Sequence, residues 1–322
     1  MIAIIYEGER AEPRIWESIK SLNITGEFVG VHLEAAFCDN IYSLYDILHK
    51  DDSMDIVSLV QEKIKNSKNQ RLCKKFQDFL ETDRDQFSEV YLFFDFDLHH
   101  TFRRNMEDDY INNLKTVEDM LIFFDNETEE GKLYISYPMV EALKDLSAIN
   151  VCDNRCCINY NESALYKRSI HENAREFQDT RKYNNAIWAH FCRHALMKAN
   201  CIVASAYKMI DYKMFINTIT QYKIFCKQRN TINQYQKIYI LSAFPLFLLE
   251  YFGEKSWKDN GILMLEDNNL KLLACEQCKQ RIPFEISADP FYSDEHMSML
   301  EQRIDDIEHG RNISQHELIE VE

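Results

Sequence analysis

The chain has little of what loosens a backbone, with 7 glycines and 5 prolines among 322 residues. That scarcity excludes collagen-like and low-complexity architectures, and 46% hydrophobic with 12% aromatic residues excludes a disordered chain. No glycine-rich phosphate loop occurs, so the chain should not hydrolyse ATP by itself. No stretch reaches the roughly 18 apolar residues of a membrane helix, and no basic-then-apolar signal precedes the first strand. These absences point to a cytoplasmic protein with no membrane partner.

Paired metal-ligand spacings are also scarce. The 10 cysteines are scattered, and buried free thiols are expected rather than a disulfide framework. Cys275-x-x-Cys278 is half of a zinc knuckle that Cys152, Cys156 and Cys157 could complete, but no single segment closes a site. His190 and His194 stand four apart on one helix face without the glutamate of a metalloprotease motif, which favours a packed or basic face.

The net charge of -16 argues against a general nucleic-acid coat. It is unevenly spread. Lys63 to Lys75 holds six basic residues and no acidic one, Arg193 to Lys237 holds eight against Asp211, and eleven acidic residues follow from Glu285 onward. The Arg193–Lys237 stretch interleaves its cations with Tyr207, Tyr212, Phe215, Tyr222 and Phe225. That composition suits either a phosphate backbone with stacked bases or a solvated helical face with core aromatics.

What the chain does have is a pair of acid-ended apolar runs. Ile2-Ala3-Ile4-Ile5-Tyr6 runs into Glu7-Gly8 and then a helical pattern from about Pro13, and Val90-Tyr91-Leu92-Phe93-Phe94 runs into Asp95-Phe96-Asp97. Both read as buried strands delivering carboxylates to the carboxyl end of a sheet, where α/β folds place their chemistry. Asp95 and Asp97 are two apart and so share a face. Clustered carboxylates suit a hard divalent cation such as Mg2+ or Mn2+, with Glu7, Asp95 and Asp97 as direct or water-mediated ligands.

Glu7-Gly8-x-x-x-Glu12-Pro13 followed by Asp95-x-Asp97 resembles a Toprim domain, and its spelling is similar to RloB-like proteins, to nucleases of the OLD (overcoming lysogenization defect) type and to the stand-alone Toprim effectors of PARIS-like anti-phage systems. The resemblance covers residues 1 to 146. It implies a Mg2+-dependent nuclease cutting DNA or RNA, including tRNA, that serves as the toxin of a bacterial abortive-infection system with a separate ATPase partner. It also implies a second acidic ligand at Glu12, which could hold another metal or position a water, and an acid after a late strand at Glu141, where a helix dipole offers another explanation. Lys132 becomes a candidate for stabilising charge in phosphoryl transfer. Glu34, ending another predicted strand, is a further candidate acid. The alternative is a non-catalytic Toprim-fold subunit that binds other components of a defence complex.

The alternation of strand and helix over residues 1–146 predicts a mainly parallel sheet flanked by helices. A mainly helical domain is expected over 147–284, centred on the apolar run Ile238–Leu249 with a kink or restart at Pro245, and an acidic tail over 285–322. Homo-oligomerisation is left open.

Overall fold

A computed structural model describes residues 1–22, 32–50, 55–67, 69–96, 106–145, 157–173, 177–259 and 261–264, with backbone alone at 106–112, 163, 164 and 173. The chain divides into two compact units, Met1–Asp267 and Asn268–Glu322, and the described residues all belong to the first. Asp97, the polar run that follows it, Cys152, Cys156, Cys275, Cys278 and the acidic tail lie outside the described residues.

The expected α/β architecture is present. Strands β1 (Ile2–Tyr6), β2 (His32–Ala36), β3 (Glu89–Asp95), β4 (Asp125–Asn126) and β5 (Gly131–Ser136) form one sheet in the order β2-β1-β3-β5-β4. All its pairings are parallel except β4 with β5. Every residue of β1 is buried, as a central strand covered on both faces requires, which is why its sequence is an unbroken apolar run. Glycine has a specific use at the turn into β5: Gly131 adopts φ +113°, a region closed to most side chains.

Side chains alternate across the sheet. Tyr91 and Phe93 face helix α11 (Ala243–Tyr251), whose Phe244 stacks on Phe93 at 4.6 Å and whose Phe247 lies 5.0 to 5.7 Å from Tyr91, Phe93, Tyr134 and Trp16. Phe94 on the other face meets Phe37 at 6.3 Å. Trp16 belongs to α1 (Ala11–Lys20), which buries Ile15, Trp16 and Ile19 as its 3.6-residue stripe anticipates. The run expected to centre the C-terminal helical segment therefore covers the sheet. Of the kink or restart expected at Pro245, the structure shows a restart: the helix begins two residues earlier, so the missing N–H falls among the first-turn donors that have no intrahelical partner. Gly253, with φ +56°, follows the helix end as a left-handed cap.

The remaining helices follow the sequence in outline. Helices α2 (Ile41–Leu48) and α3 (Ile56–Asn66) are capped by Asn40 and Asp55. The single helix expected over 72–80 is two, α4 (Gln70–Lys75) and α5 (Gln77–Leu80), and α6 (Met106–Phe123) begins well before its expected start near Val117. The helix expected after Pro138 is a 3₁₀ turn, Val140–Lys144. Past strand β6 (Cys157–Asn159) come α7 (Ser163–Asn173) and α8 (Asn185–Ala204), whose buried Trp188 donates its indole N–H to Ser18 Oγ at 3.1 Å and so ties α8 to α1. The helix expected over 211–229 divides into α9 (Tyr212–Thr218) and α10 (Gln221–Tyr235), with Thr220 capping α10. The helix expected to run from Tyr235 is preceded by β7 (Lys237–Tyr239), which pairs antiparallel with β6. No described helix is long and apolar enough to cross a membrane. Cys38, Cys73, Cys157, Cys192 and Cys226 are free thiols as expected, whereas Cys201, within α8, is disulfide-bonded, contrary to the free-thiol expectation.

One buried cluster of apolar residues runs from Ile2 to Leu263. Phe247 sits at its centre with no exposed surface. Phe247→Ala is expected to lower the unfolding free energy by about 3–5 kcal/mol, read as the shift in a urea transition with its slope unchanged. A loss under about 1 kcal/mol would mean that α11 is not essential to the sheet's cover.

Candidate functional site

In this sheet β1 is followed outward by β2 on one side, while β3 lies on the other. The strand order therefore reverses between β1 and β3, and the crevice at their carboxyl ends is where open α/β sheets bind ligands. Glu7 and Asp95 end those two strands. The Glu7 amide continues the ladder to the Phe93 carbonyl at 3.0 Å, and the Glu7 carboxylate accepts the Asp95 backbone N–H at 2.9 Å.

Glu12 joins them from the first turn of α1. It is 6% exposed, and its Oε1 accepts the Gly8 N–H at 3.1 Å. A Cβ on Gly8 would lie 2.9 Å from Glu12 Oε2. The glycine of the Glu-Gly motif is thus explained by the close approach of the second acid, four residues on. Glu141 comes from the turn after β5, also 6% exposed; Lys167 of α7 pairs with its Oε1 at 3.1 Å, while its Oε2 is buried with no hydrogen-bond partner among the described residues.

The electrostatics show that these acids share one environment. Desolvation, then the charges of Glu7, Glu12 and Glu141, push the Asp95 carboxyl well above the usual carboxylate range, against the Val140 backbone N–H that favours its ionised form. Desolvation likewise raises the Glu12 carboxyl, with Glu141 adding to the rise, while the backbone N–H groups of Glu12 and Gly8 and the charge of Lys167 oppose it. Four carboxylates in one partly desolvated site repel one another unless protons or a cation intervene. Their donor set is oxygen alone, which suits Mg2+ or Mn2+, and the orphaned Oε2 of Glu141 is an acceptor that a cation or its water would satisfy. Among the described residues no three His, Cys, Asp or Glu side chains converge closely enough to hold a metal ion by themselves.

Other expected site residues stand elsewhere. Lys132 is at the amino end of β5, paired in register with Tyr91 while Asp95 pairs with Ser136. Four strand residues, about 13 Å, separate those ends. Its ammonium is bound to Glu250 and lies 3.6 Å from Glu127. Glu34 is held by Lys20 at 2.7 Å and accepts from the Tyr6 hydroxyl at 3.3 Å. His194 is buried with Nδ1 2.7 Å from the Tyr207 hydroxyl, and burial pushes its pKa well down, as in a packed helix face. In the basic Arg193–Lys237 stretch Phe215 and Phe225 are core residues, and Tyr222 donates to Glu118 at 3.0 Å.

A groove of about 910 Å3 adjoins the cluster, sharing Glu141 with it and lined by Arg10, Arg14, Lys144, His171 and Arg181. Sequence reasoning missed this feature because its walls come from three separated segments. One signal was available: Arg10 and Arg14 are four apart across the start of a helix and so share its face.

Comparison with protein-family models, with curated proteins and with solved structures finds no match for this chain.

The raised Asp95 carboxyl has a consequence for stability. The folded chain binds this proton more tightly than the unfolded chain, so in chelator the unfolding free energy should fall as pH rises from about 4, the ordinary aspartate value, through the raised folded value. Asp95→Asn removes the titration; it should flatten that decline and leave the variant more stable than the parent at neutral pH. Urea transitions across this pH range measure both, and superimposable pH profiles would refute the assignment.

Proposed function

We propose that this chain is a divalent-metal-dependent nuclease that hydrolyses phosphodiester bonds at the carboxyl ends of β1 and β3. One observation carries the reading: Glu7, Glu12, Asp95 and Glu141 come together at the point where strand order reverses, in a site whose charge calls for a cation. Glu7, Glu12 and Asp95, with Asp97, would hold Mg2+ or Mn2+. When bound, such an ion polarises a phosphoryl oxygen and lowers the pKa of a water.

The chain's own groups divide the remaining work. Glu7 is fixed by the Asp95 N–H, and Glu12 by the Gly8 N–H, so both present their oxygens without a search for rotamers. Asp95 and Glu12, whose carboxyls are raised, take up a proton more readily than ordinary carboxylates, the direction in which a general base is tuned. Glu141 Oε2 is placed to accept a hydrogen bond from a water. Lys167, paired with Glu141, limits the negative charge that an approaching phosphate would meet.

The Toprim resemblance supports the same chemistry and extends it to the nuclease arm of a bacterial anti-phage system, with ATP hydrolysis left to a separate partner, in keeping with the missing phosphate loop. A non-catalytic binding subunit is the second reading. It is favoured by the fact that the described acids alone do not form a converging ligand group.

The purified chain incubated with Mg2+ or Mn2+ on DNA, RNA and tRNA decides between them. Cleavage is expected, abolished by chelator, by Glu7→Gln and by Asp95→Asn. Gly8→Ala, which displaces the Glu12 carboxylate, should keep the fold and reduce the rate roughly 10–100-fold, the range for groups that orient metal ligands. No cleavage of any substrate, or full activity in Asp95→Asn, would refute the nuclease.

A further inference from the structure

We infer that the groove between α1, the Val140–Lys144 turn and the 178–183 segment binds the phosphodiester backbone of a nucleic-acid strand, with Arg14 and Lys144 as its phosphate contacts. The inference rests on the nuclease reading and adds the path by which substrate reaches the carboxylates.

The groove's charge is the first ground. It is lined by the cations Arg10, Arg14, Lys144 and Arg181 and by the acids Glu17, Glu141 and Asp179. Each acid has a cation beside it: Glu17 has Lys20 at 2.5 Å, an ammonium shared with Glu34, Glu141 has Lys167 at 3.1 Å and Asp179 has Arg181 at 2.8 Å; Arg10 in turn lies 3.7 Å from Glu9. Arg14 has no ion-pair partner among the described residues. Among the described residues Lys144 bonds only the neutral Gln178 side chain, at 3.3 Å. In a chain of net charge -16 this wall carries uncompensated positive charge beside the acid cluster, where a phosphate would arrive.

Burial pushes the Lys144 pKa down; Glu141 is the largest charge opposing that shift, while the smaller effects of Lys167 and Arg14 add to it and place three cations close together. An anion seated between these cations would relieve their repulsion. At about 910 Å3 the groove is at the upper end of small-molecule sites, ~300–1,000 Å3, and Arg10, Arg14, Lys144 and Arg181 all line it.

The contacts offered are to backbone and not to bases. Of the rings lining it, Tyr183 is buried against Trp188 and Phe191 and spends its hydroxyl on the Phe177 carbonyl at 2.6 Å, which leaves His171 as the exposed ring among the described lining residues. Contacts to phosphate carry no sequence information, so binding should depend little on base sequence.

Fluorescence anisotropy of labelled single-stranded DNA and RNA oligonucleotides of mixed sequence, with the full chain in chelator so that nothing is cut, tests this. The double variant Arg14→Gln with Lys144→Gln keeps polar side chains at both positions. It should weaken binding and shallow the slope of log affinity against log salt by about 1.4, about 0.7 for each lost contact on a single strand. A control pair on the basic stretch, Lys213→Gln with Lys227→Gln, should leave both unchanged.

Three results overturn the inference: no binding by the parent chain, an unchanged salt slope in the groove variant, or a larger loss in the control pair. Displacement of the oligonucleotide by equimolar inorganic phosphate would also overturn it, by assigning the groove to a small phosphate ligand. Its fate is separable from that of the nuclease. Groove-dependent binding without cleavage in Mg2+ keeps the groove and removes the catalyst, whereas cleavage with KM unchanged in the groove variant removes the groove alone.

Discussion

The Glu7 carboxylate accepts the Asp95 backbone N–H at 2.9 Å, and this bond ties together the carboxyl ends of the two central strands at the place where acidic side chains gather. Neighbouring carboxylates in a partly desolvated crevice would drive the strand ends apart if nothing answered their charge. Directed N–H groups supply part of the answer: Asp95 toward Glu7, Gly8 toward Glu12, Val140 toward Asp95. Lys167 supplies another part, at the rim. Its pair with Glu141 is half-exposed and so worth little stability. Desolvation first, and then the residual repulsion, raise the carboxyls of Asp95 and Glu12, and a divalent cation is the species that would offset the repulsion.

Such a site needs a stiff support. The aromatic layer formed by Trp16, Phe93, Tyr134, Phe244 and Phe247 fills one face of the sheet directly beneath the strand ends. An antiparallel bridge between Tyr137 and Leu241, with two hydrogen bonds of 2.8 Å, leads the chain from β5 toward the turn that carries Glu141 and fastens it to the approach to α11. The segment from β6 onward therefore does more than follow the sheet: it closes the sheet's face, pairs Glu141 through Lys167, and supplies one wall of the groove through Gln178 to Tyr183.

The centre of the sheet was legible in the sequence because a strand buried on both faces must be continuously apolar, and an acid directly after it has only one place to go. Glu7 and Asp95 were placed at strand ends that way, and Glu12 was singled out through a motif whose physical cause, the close approach of the Glu12 carboxylate to Gly8, only coordinates reveal. Lys132 was misjudged because periodicity does not say which end of a strand faces the site, and its partners Glu127 and Glu250 are distant in sequence. The β6–β7 pairing joins three-residue strands about 80 positions apart, too short for a period and too separated for a local turn signal. The aromatics of the Arg193–Lys237 stretch, Phe215 and Phe225, pointed inward, which composition cannot distinguish from a stacking surface. The groove went unseen since the pairing of Glu141 with Lys167 depends on contacts between segments.

The claim on which the account turns is that the carboxylates at the β1 and β3 ends bind a divalent cation. Isothermal titration of Mn2+ into the metal-free chain, run near neutral pH in two buffers of different ionisation enthalpy, tests it directly. The account predicts saturable binding and loss of that binding in Asp95→Asn; because Asp95 and Glu12 hold their protons more tightly than ordinary carboxyls do, binding releases protons at any pH where they are still protonated. An absence of saturable binding, or equal affinity and equal proton release in Asp95→Asn, would contradict it.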